Sequence, residues 1–337
     1  MINNELIREI TGGKAKKPLP ILSYPAARFV DPDIGAIAKS AELQALVMKE
    51  SAFRCNSSAV TAPMDLSVEA ECFGADIIFS PAAVPVVAGS IVHSAQDAEK
   101  LTVPAVGSAR SGIFIEAIKE AKRLITDRPL LAGAAGPFSL AGRLIDVTDI
   151  MLMCFDEPEA VELVLKKCTD FLISYVNALK SAGADGVIIA EPVAGLLSPA
   201  LEEEFSAPYI KQLAESTGDG SFAVIYHNCG QSVERMTASV FANGCCAYHF
   251  GNAVNLPKML AAAPADKLIM GNIDPVAFFR DGTPADMKNA VNTLLGECAG
   301  YENFLLSSGC DIPVSAKWEN IDAFFAAAEE FYGGKYA

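Results

Sequence analysis

The chain has little histidine, little tryptophan and too few positive charges to balance its acids. Its 337 residues include three His and one Trp, and 26 Lys and Arg against 41 Asp and Glu give a formal net charge of −15 at pH 7. Proteins bind nucleic acid through clustered Lys and Arg. The charge therefore argues against nucleic acid as a partner, and also against a substrate that carries many carboxylates.

Long hydrophobic runs are also missing. No apolar stretch reaches the roughly 18 residues that a membrane-spanning helix requires, and residues 1–8 lack the basic-then-apolar layout of a signal peptide. We therefore expect a cytoplasmic protein without a membrane segment. The nine Cys lack the regular spacing of a disulfide framework, and cytosolic thiols remain reduced.

Apolar residues, in contrast, are plentiful. Hydrophobic residues make up 51% of the chain and charged residues 20%, which is enough apolar surface for a packed core. The length exceeds that of most single-core domains, but α/β barrels reach it as one domain. Because no Pro- or Ser-rich linker, low-complexity tract or internal repeat interrupts the sequence, we expect a single domain over residues 1–337.

Short apolar runs that read as strands alternate with longer helical patterns. Eight such units in series predict a (β/α)8 TIM barrel with an N-terminal helical extension and insertions at the C-terminal face, the largest over residues 84–122. The predicted strands are residues 19–23, 58–62, 130–134, 187–190, 222–226, 246–250, 268–270 and 304–306. The predicted helices include residues 159–181, 208–216, 256–263, 284–299 and 321–331.

Three soft metal ligands follow two of these strands. His227 and Cys229 are separated by one residue after the fifth strand, and Cys310 follows the eighth. Since active sites of such barrels form where the strands end, these side chains are expected to converge. One imidazole and two thiolates with an open fourth position are typical of catalytic zinc. The competing interpretation is that both cysteines are small buried hydrophobes.

Two carboxylates follow other strands. Glu191 comes directly after the fourth strand, where it would act as a weak zinc ligand or as a base that accepts a thiol proton. A structural role at a helix N-terminus is about equally expected for it. Asp65 takes the same place after the second strand, and its alternative role is to cap the helix that begins near Ser67.

Further polar or aromatic residues follow or end the predicted strands and are expected to line a substrate pocket. His249 has an equally weighted alternative as a core histidine whose hydrogen bonds are satisfied. The segment after the third strand lacks the Lys and the Gly spacing of nucleotide-binding loops, so we do not expect it to bind nucleotide phosphate. The predicted pocket residues are Tyr226, His249, Asn252, Asn272, Asp274, Phe138 and Ser139.

With these motifs, the chain resembles the uroporphyrinogen decarboxylase superfamily, and within it the zinc-dependent branch of methylcobamide:thiol methyltransferases of the coenzyme M type. The most specific element is the His-x-Cys motif with a distant Ser-Gly-Cys, and the segments around residues 190–192 and 136–139 are also similar. The resemblance implies a (β/α)8 barrel and zinc held by His227, Cys229 and Cys310. It also implies a methylcobamide donor delivered by a corrinoid protein.

The reaction expected from the resemblance is methyl transfer from the corrinoid to a small thiol that zinc activates as a thiolate. Tetrapyrrole decarboxylation is the alternative, since Asp65 resembles the carboxylate with which the decarboxylases hold pyrrole N–H groups. The decarboxylases also have an Arg-rich N-terminal segment, whereas here the end of the first predicted strand offers only Arg28. A second alternative is a non-catalytic scaffold that binds a corrinoid or a thiol.

Overall fold

The computed structural model describes residues 4–12 and 16–336, and its main feature is a curled sheet of seven parallel strands. The sheet runs in the order β1, β4, β5, β6, β7, β8, β9, and a two-stranded antiparallel hairpin, β2 and β3, lies apart from it. The bounds are β1 Val60–Thr61, β2 Asp76–Ile78, β3 Val86–Ala88, β4 Leu130–Ala135, β5 Gly186–Ala190, β6 Ala223–Asn228, β7 Ala247–Phe250, β8 Leu268–Ile273 and β9 Phe304–Ser308.

An irregular segment closes the sheet into a barrel. The Leu19 N–H donates to the Leu306 carbonyl of β9 at 2.9 Å, and on the other side the Ser58 N–H donates to the Pro18 carbonyl at 3.0 Å. Further along, the N–H of Ile21 donates to Ser308 Oγ and that of Leu22 to Thr61 Oγ1, both at 3.0 Å. Residues 18–22 therefore occupy the eighth position of the barrel.

The predicted TIM barrel is confirmed, and seven of the eight predicted strands are regular. The segment over residues 19–23 lies where a strand was predicted, but it does not form the regular hydrogen bonds of a strand. The prediction of a regular strand there is therefore wrong. Pro18 and Pro20 have no N–H to donate, and side-chain hydroxyls take the place of two ladder carbonyls. The strand predicted over residues 58–62 is regular only over β1, which has two residues.

Alternation along the strands divides the apolar core in two, because successive side chains point to opposite faces of a sheet. In β5, Ile188 and Ala190 pack inside the barrel, whereas Val187 and Ile189 pack against the helices. Helix α1, Glu5–Thr11, places Leu6, Ile7 and Ile10 in the inner cluster. It closes the N-terminal end of the barrel, so that the open mouth is at the C-terminal ends of the strands.

Helices form the outer layer. The five helices predicted by periodicity correspond to the helices Pro158–Ser181, Ala207–Thr217, Leu256–Ala262, Pro284–Cys298 and Trp318–Tyr336. The predicted N-terminal helical extension comprises α1, a 3-10 turn at Pro25–Phe29 and the helices Ile34–Ile37 and Ala41–Arg54. The remaining bounds are α2 Ile34–Ile37, α3 Ala41–Arg54, α4 Val68–Cys72, α5 Ala95–Lys100, α6 Ser111–Leu124, α7 Pro137–Ile145, α8 Val147–Asp156, α9 Pro158–Ser181, α10 Pro199–Phe205, α11 Ala207–Thr217, α12 Thr237–Ala242, α13 Leu256–Ala262, α14 Pro284–Cys298 and α15 Trp318–Tyr336.

Insertions lie on the C-terminal face of the barrel, as the sequence predicts. The largest contains β3 of the hairpin, α5 and much of α6, and short helical segments follow β5, β6 and β8 at Ala194–Leu196, Gln231–Arg235 and Pro275–Asp281. These segments surround the mouth of the barrel. Among the described helices, none combines the length and the apolar character needed to span a bilayer.

Candidate metal centre and adjoining cavity

The three predicted metal ligands meet at the mouth of the barrel. His227 is the penultimate residue of β6, Cys229 follows that strand and Cys310 follows β9. The ligand atoms of all three lie within 4.8 Å of one another, and Cys310 Sγ is 3.5 Å from His227 Nε2. A Cβ on Gly251 would lie 2.5 Å from Cys229 Cα, so glycine is required where the ends of β6 and β7 approach each other.

The donor set fits a zinc ion with one open position. One imidazole nitrogen and two thiolate sulfurs are the ligand types that zinc prefers, and three protein ligands are the number found in catalytic sites. The hydrogen bond between the two cysteines lowers the pKa of the Cys229 thiol. The same hydrogen bond, together with burial, raises the pKa of the Cys310 thiol. Cysteine binds zinc as the thiolate, so a bound dication would displace the proton of any thiol in this set.

A hydrogen-bond chain behind His227 fixes which of its nitrogens carries the proton. Ser307 Oγ donates its hydrogen to the Leu19 carbonyl at 2.6 Å, so it must accept from His249 Nε2, which lies 2.7 Å away. Burial and the neighbouring His227 hold the pKa of His249 well below 6.5, so its ring is neutral. With the His249 proton on Nε2, its Nδ1 is a bare acceptor.

The same logic extends to the ligand itself. His227 Nδ1 lies 2.8 Å from His249 Nδ1 and must be the donor in that contact. A neutral His227 then has its lone pair on Nε2, the atom that faces Cys310. An outer partner of this kind commonly fixes the tautomer and orientation of a metal-bound histidine. The predicted pocket residue His249 is thus a buried partner of the ligand, and its side chain does not line the cavity.

A cavity of about 280 Å³ adjoins the cluster. Its walls are mainly apolar and include Val84, Pro85 and Val86 from the hairpin and the segment that precedes β3, so the insertion predicted over residues 84–122 forms one side of the site. The polar side chains in the wall, apart from the three ligands, are Ser67, Arg143 and Asp311. This volume accommodates a small molecule but not a corrinoid macrocycle.

Glu191 lies at the end of β5 but faces helix α7. Its Oε1 accepts the Phe138 N–H at 2.8 Å, and its Oε2 accepts the N–H and the hydroxyl of Ser139 at 2.9 and 2.6 Å. A Cβ on Gly136 would overlap the Glu191 carboxyl group at 2.2 Å. Burial raises the pKa of Glu191 to about 7, although the three hydrogen bonds act to lower it. Its carboxylate is not a member of the metal-ligand cluster.

Asp65 is bound by other residues of the chain and does not line the cavity. One oxygen accepts from Arg110 Nη1, and the other accepts the N–H and hydroxyl of Ser67 at 3.0 and 2.5 Å. The Asp65 side chain has no exposed surface. The expected capping role takes a different form, because Asp65 holds Ser67, the residue before α4, and a distant arginine.

The remaining predicted pocket residues lie around the mouth or behind it, and none of them lines the cavity. Tyr226 precedes an inward-facing residue of β6, so alternation directs its ring into the helix-side core. Phe138 is in the same core, and Ser139 binds Glu191. Asn252 donates to Asp274 at 2.8 Å, Asp274 caps the helical segment after β8, and Asn272 donates to the Gly251 and Val254 carbonyls.

Sequence reasoning missed Arg143 and Asp311 as wall residues. Asp311 immediately follows a predicted metal ligand and could have been found on that ground. Arg143 is within α7, and no local pattern indicates that its guanidinium reaches a cavity at the strand ends. Its position depends on how α7 packs over the barrel.

Comparisons with known proteins identify the family of this chain. The family described as Uroporphyrinogen decarboxylase (URO-D) matches residues 19–331. A methylcobamide:CoM methyltransferase MtbA from Methanosarcina acetivorans is 28% identical over 277 residues, which cover 81% of this chain and 80% of that protein. A uroporphyrinogen decarboxylase from Coxiella burnetii is 26% identical over 321 residues, with 91% and 87% covered.

The fold is shared with a solved structure described as a methyltransferase from Methanosarcina mazei. The two superpose with a TM-score of 0.86 at 25% sequence identity, covering 97% of this chain and 98% of the other. The family match extends over nearly all of the barrel, from the segment that closes it to the last helix. The chain is therefore a member of the uroporphyrinogen decarboxylase family.

Proposed function

We propose that this protein is a zinc-dependent methyltransferase that transfers a methyl group from a methyl-corrinoid to a small thiol. The observation that carries the proposal is the convergence of His227 Nε2, Cys229 Sγ and Cys310 Sγ within 4.8 Å beside a cavity. The MtbA relatives, whose names describe transfer from methylcobamide to CoM, support the same chemistry.

In this proposal His227, Cys229 and Cys310 hold the zinc. When bound, zinc would lower the pKa of an acceptor thiol so that it reacts as a thiolate. The thiolate sulfur attacks the methyl carbon of the corrinoid. The cobalt–carbon bond breaks, its electron pair remains on cobalt, and the thiol proton leaves to solvent. His249 keeps the Nε2 lone pair of His227 directed at the site.

We propose different places for the two substrates, and the size of the cavity and the character of its rim support this. A space of about 280 Å³ holds a small thiol, whereas the corrinoid must approach from outside the mouth. Exposed apolar side chains are available on the segments around the mouth, namely Val86 on the hairpin, Leu196 after β5 and Val276 after β8. These support docking of a corrinoid protein over the barrel, with its methyl group directed toward the cavity.

Tetrapyrrole decarboxylation receives less support from the same site. A substrate with several carboxylates requires several free cations, preferably arginines. Among the described residues that line the cavity, Arg143 is the one cation. Arg28 donates to the Val314 and Ala316 carbonyls, and Arg110 is paired with Asp65 and Glu71.

The test is thiol-dependent consumption of methylcobalamin by the full chain loaded with zinc. We expect the cobalt spectrum to change from that of methylcobalamin only when both zinc and a thiol are present. The change should be lost in Cys310→Ala and retained in Cys298→Ala, which removes a buried thiol at the end of α14. Equal turnover in the two variants would refute the proposal.

A further inference from the structure

Two cysteine sulfurs face each other at the candidate metal centre. Cys229 follows β6 and Cys310 follows β9, and their side chains are hydrogen-bonded to each other within a cluster whose ligand atoms lie within 4.8 Å. Both residues are half-buried and line the cavity of about 280 Å³. A small reagent that enters the cavity therefore meets two sulfur atoms at once.

The other seven cysteines lack this combination of contact and access. Cys72 and Cys246 are half-buried, but each sulfur donates to a backbone carbonyl at 3.3 Å. Cys245 belongs to the helix-side core whereas Cys246 packs against the inner cluster, so these two neighbours point to opposite faces of the sheet. Burial raises the pKa of all seven thiols and makes them poor nucleophiles. They are Cys55, Cys72, Cys154, Cys168, Cys245, Cys246 and Cys298.

The chemistry of the pair at the metal centre is different. Zinc binds cysteine as the thiolate, which is also the form that oxidants attack. A thiolate with a second cysteine beside it is the usual arrangement of a redox-sensing site. The sulfurs of Cys229 and Cys310 are at most 4.8 Å apart and close to about 2.05 Å in a disulfide. Because each residue lies beyond the end of its strand, we expect side-chain rotation to bring the sulfurs together while β6 and β9 keep their hydrogen bonds.

We propose that Cys229 and Cys310 form a reversible disulfide on reaction with a peroxide, and that its formation releases the zinc. This inference rests on the zinc site of the proposed function, but not on the identity of the methyl donor or acceptor. One thiolate sulfur attacks a peroxide oxygen, the O–O bond breaks and hydroxide leaves, which makes a sulfenic acid. The second sulfur then attacks the first, the S–S bond forms, and the S–O bond breaks with loss of a second hydroxide. The two sulfurs give two electrons to the peroxide, and the zinc remains Zn²⁺.

The disulfide would inactivate the centre until a thiol reduces it. A disulfide sulfur carries no negative charge with which to hold the ion, so His227 is the one proposed ligand left. Small thiols reverse the reaction by exchange, in which one thiolate attacks a disulfide sulfur and a second completes the reduction. The cavity that we propose for the acceptor admits such a thiol. The centre is then competent only where small thiols are kept reduced.

The test follows the zinc and the disulfide instead of turnover. The full chain loaded with zinc is treated with a stoichiometric amount of hydrogen peroxide in the presence of a colorimetric zinc indicator. The product is digested without reductant and analysed by mass spectrometry. We expect release of about one zinc per chain and a cross-linked pair of peptides that contain Cys229 and Cys310. Dithiothreitol followed by Zn²⁺ should restore the bound metal.

A variant with a different third ligand separates the disulfide from other routes of zinc loss. Cys310→Asp offers a carboxylate oxygen, which also binds zinc, but no second sulfur. We expect peroxide to release its zinc roughly tenfold or more slowly than that of the wild type. Its Cys229 should also be trapped by dimedone as a sulfenic acid, whether or not the variant holds zinc, whereas in the wild type Cys310 removes this intermediate.

Cys72→Ala and Cys246→Ala are the matched controls, because each removes a half-buried thiol outside the cavity. Both should release zinc and form the cross-link as the wild type does. If peroxide leaves the zinc bound, releases it without the Cys229–Cys310 cross-link, or gives no dimedone adduct in Cys310→Asp, the inference is wrong while the proposed function stands. If the wild type binds no zinc at all, both fail.

Discussion

The Nδ1 atoms of His227 and His249 lie 2.8 Å apart, and only one of them carries a proton. Because Ser307 donates its own hydrogen to the Leu19 carbonyl, that proton belongs to His227. The nitrogen that faces the two cysteines is therefore free to bind a metal before any metal arrives. The metal centre that we propose would depend in this way on His249 and Ser307, which are not among its three ligands.

Zinc binding is the first prediction. The purified protein should contain about one zinc per chain, with Zn–S distances of about 2.3 Å and Zn–N distances of about 2.0–2.1 Å by X-ray absorption. Cys229→Ala and Cys310→Ala should lose tightly bound zinc and keep the circular dichroism of the barrel, because both residues are at its rim. Equal zinc content in wild type and both variants would contradict the three-ligand site.

Replacing His249 should lower the zinc affinity of the site, because His249 holds the ligand His227 through a hydrogen bond. His249→Ala leaves the buried Nδ1–H of His227 without an acceptor, and we expect zinc affinity to fall about 10- to 100-fold in competition with a chelator. Long-range ¹H–¹⁵N spectra of the histidine rings should show His227 protonated on Nδ1 in the wild type and mixed tautomers in the variant. His249→Asn, which offers an oxygen near the Nδ1 position, should recover part of the affinity. Unaltered tautomers in His249→Ala would show that the chain does not orient His227.

Asp65 is predicted to contribute to stability through Arg110. Both side chains are almost completely buried, and removing one partner of a buried ion pair costs about 3–5 kcal/mol. Asp65→Asn should therefore lower the free energy of unfolding by about that amount in urea. In a double-mutant cycle with Arg110→Met, the two losses should be far from additive. Additive losses would mean that the pair does not stabilise the fold.

Glu191 is predicted to hold the N-terminus of α7. In Glu191→Gln one of the two acceptor oxygens becomes an amide that cannot accept the donors now bound to it, and we expect a loss of about 1–3 kcal/mol in urea unfolding at pH 8. Ser139→Ala removes one of the three donors and should cost less. If Glu191→Gln unfolds like the wild type but binds thiol more weakly, the carboxylate acts on the acceptor instead.

Stability should also fall as pH rises, partly because of Glu202. Burial raises its pKa from 4.5 to about 7, and its Oε1 has no hydrogen-bond partner. A carboxyl group with a raised folded-state pKa contributes stability that is fully present below about pH 4.5 and is lost as pH rises through about 7. Between pH 5 and 8 the wild type should lose up to about 3 kcal/mol relative to Glu202→Gln. Parallel stability curves would show that Glu202 is ionised without cost.

The barrel and the convergence of the three proposed metal ligands could be predicted from the sequence for a common reason. Both depend on the order of strands along the chain, and residues that follow parallel strands meet at one end of a barrel. His227, Cys229 and Cys310 could therefore be grouped from their positions after the predicted strands. The same rule does not say which way a side chain at a strand end points. Glu191 therefore lies at the expected strand end, but its carboxylate faces helix α7.

Other features depend on contacts that local sequence does not encode. Asp65 meets an arginine 45 residues away, and the side chain of Arg143 reaches the cavity through the packing of α7. Tyr226 was misplaced because the register of β6 decides which face it takes, and His227 and Tyr226 as neighbours cannot both face inward. The two prolines near residue 20 were visible in the sequence. Their effect on the first strand depends on which hydroxyls of β9 and β1 lie opposite.

The closure of the barrel by residues 18–22 sets an order of events during synthesis. Ile21 bonds to Ser308 across 287 positions of sequence, so the N-terminal segment emerges from the ribosome long before its partner strand exists. The Leu19 carbonyl, which accepts from Ser307 Oγ, also waits for β9 to be synthesised. The last strand thus completes the barrel, the hydrogen-bond chain to His227 and the Cys310 ligand together. A nascent chain that has not yet added β9 therefore lacks both the closed barrel and one of the three proposed metal ligands.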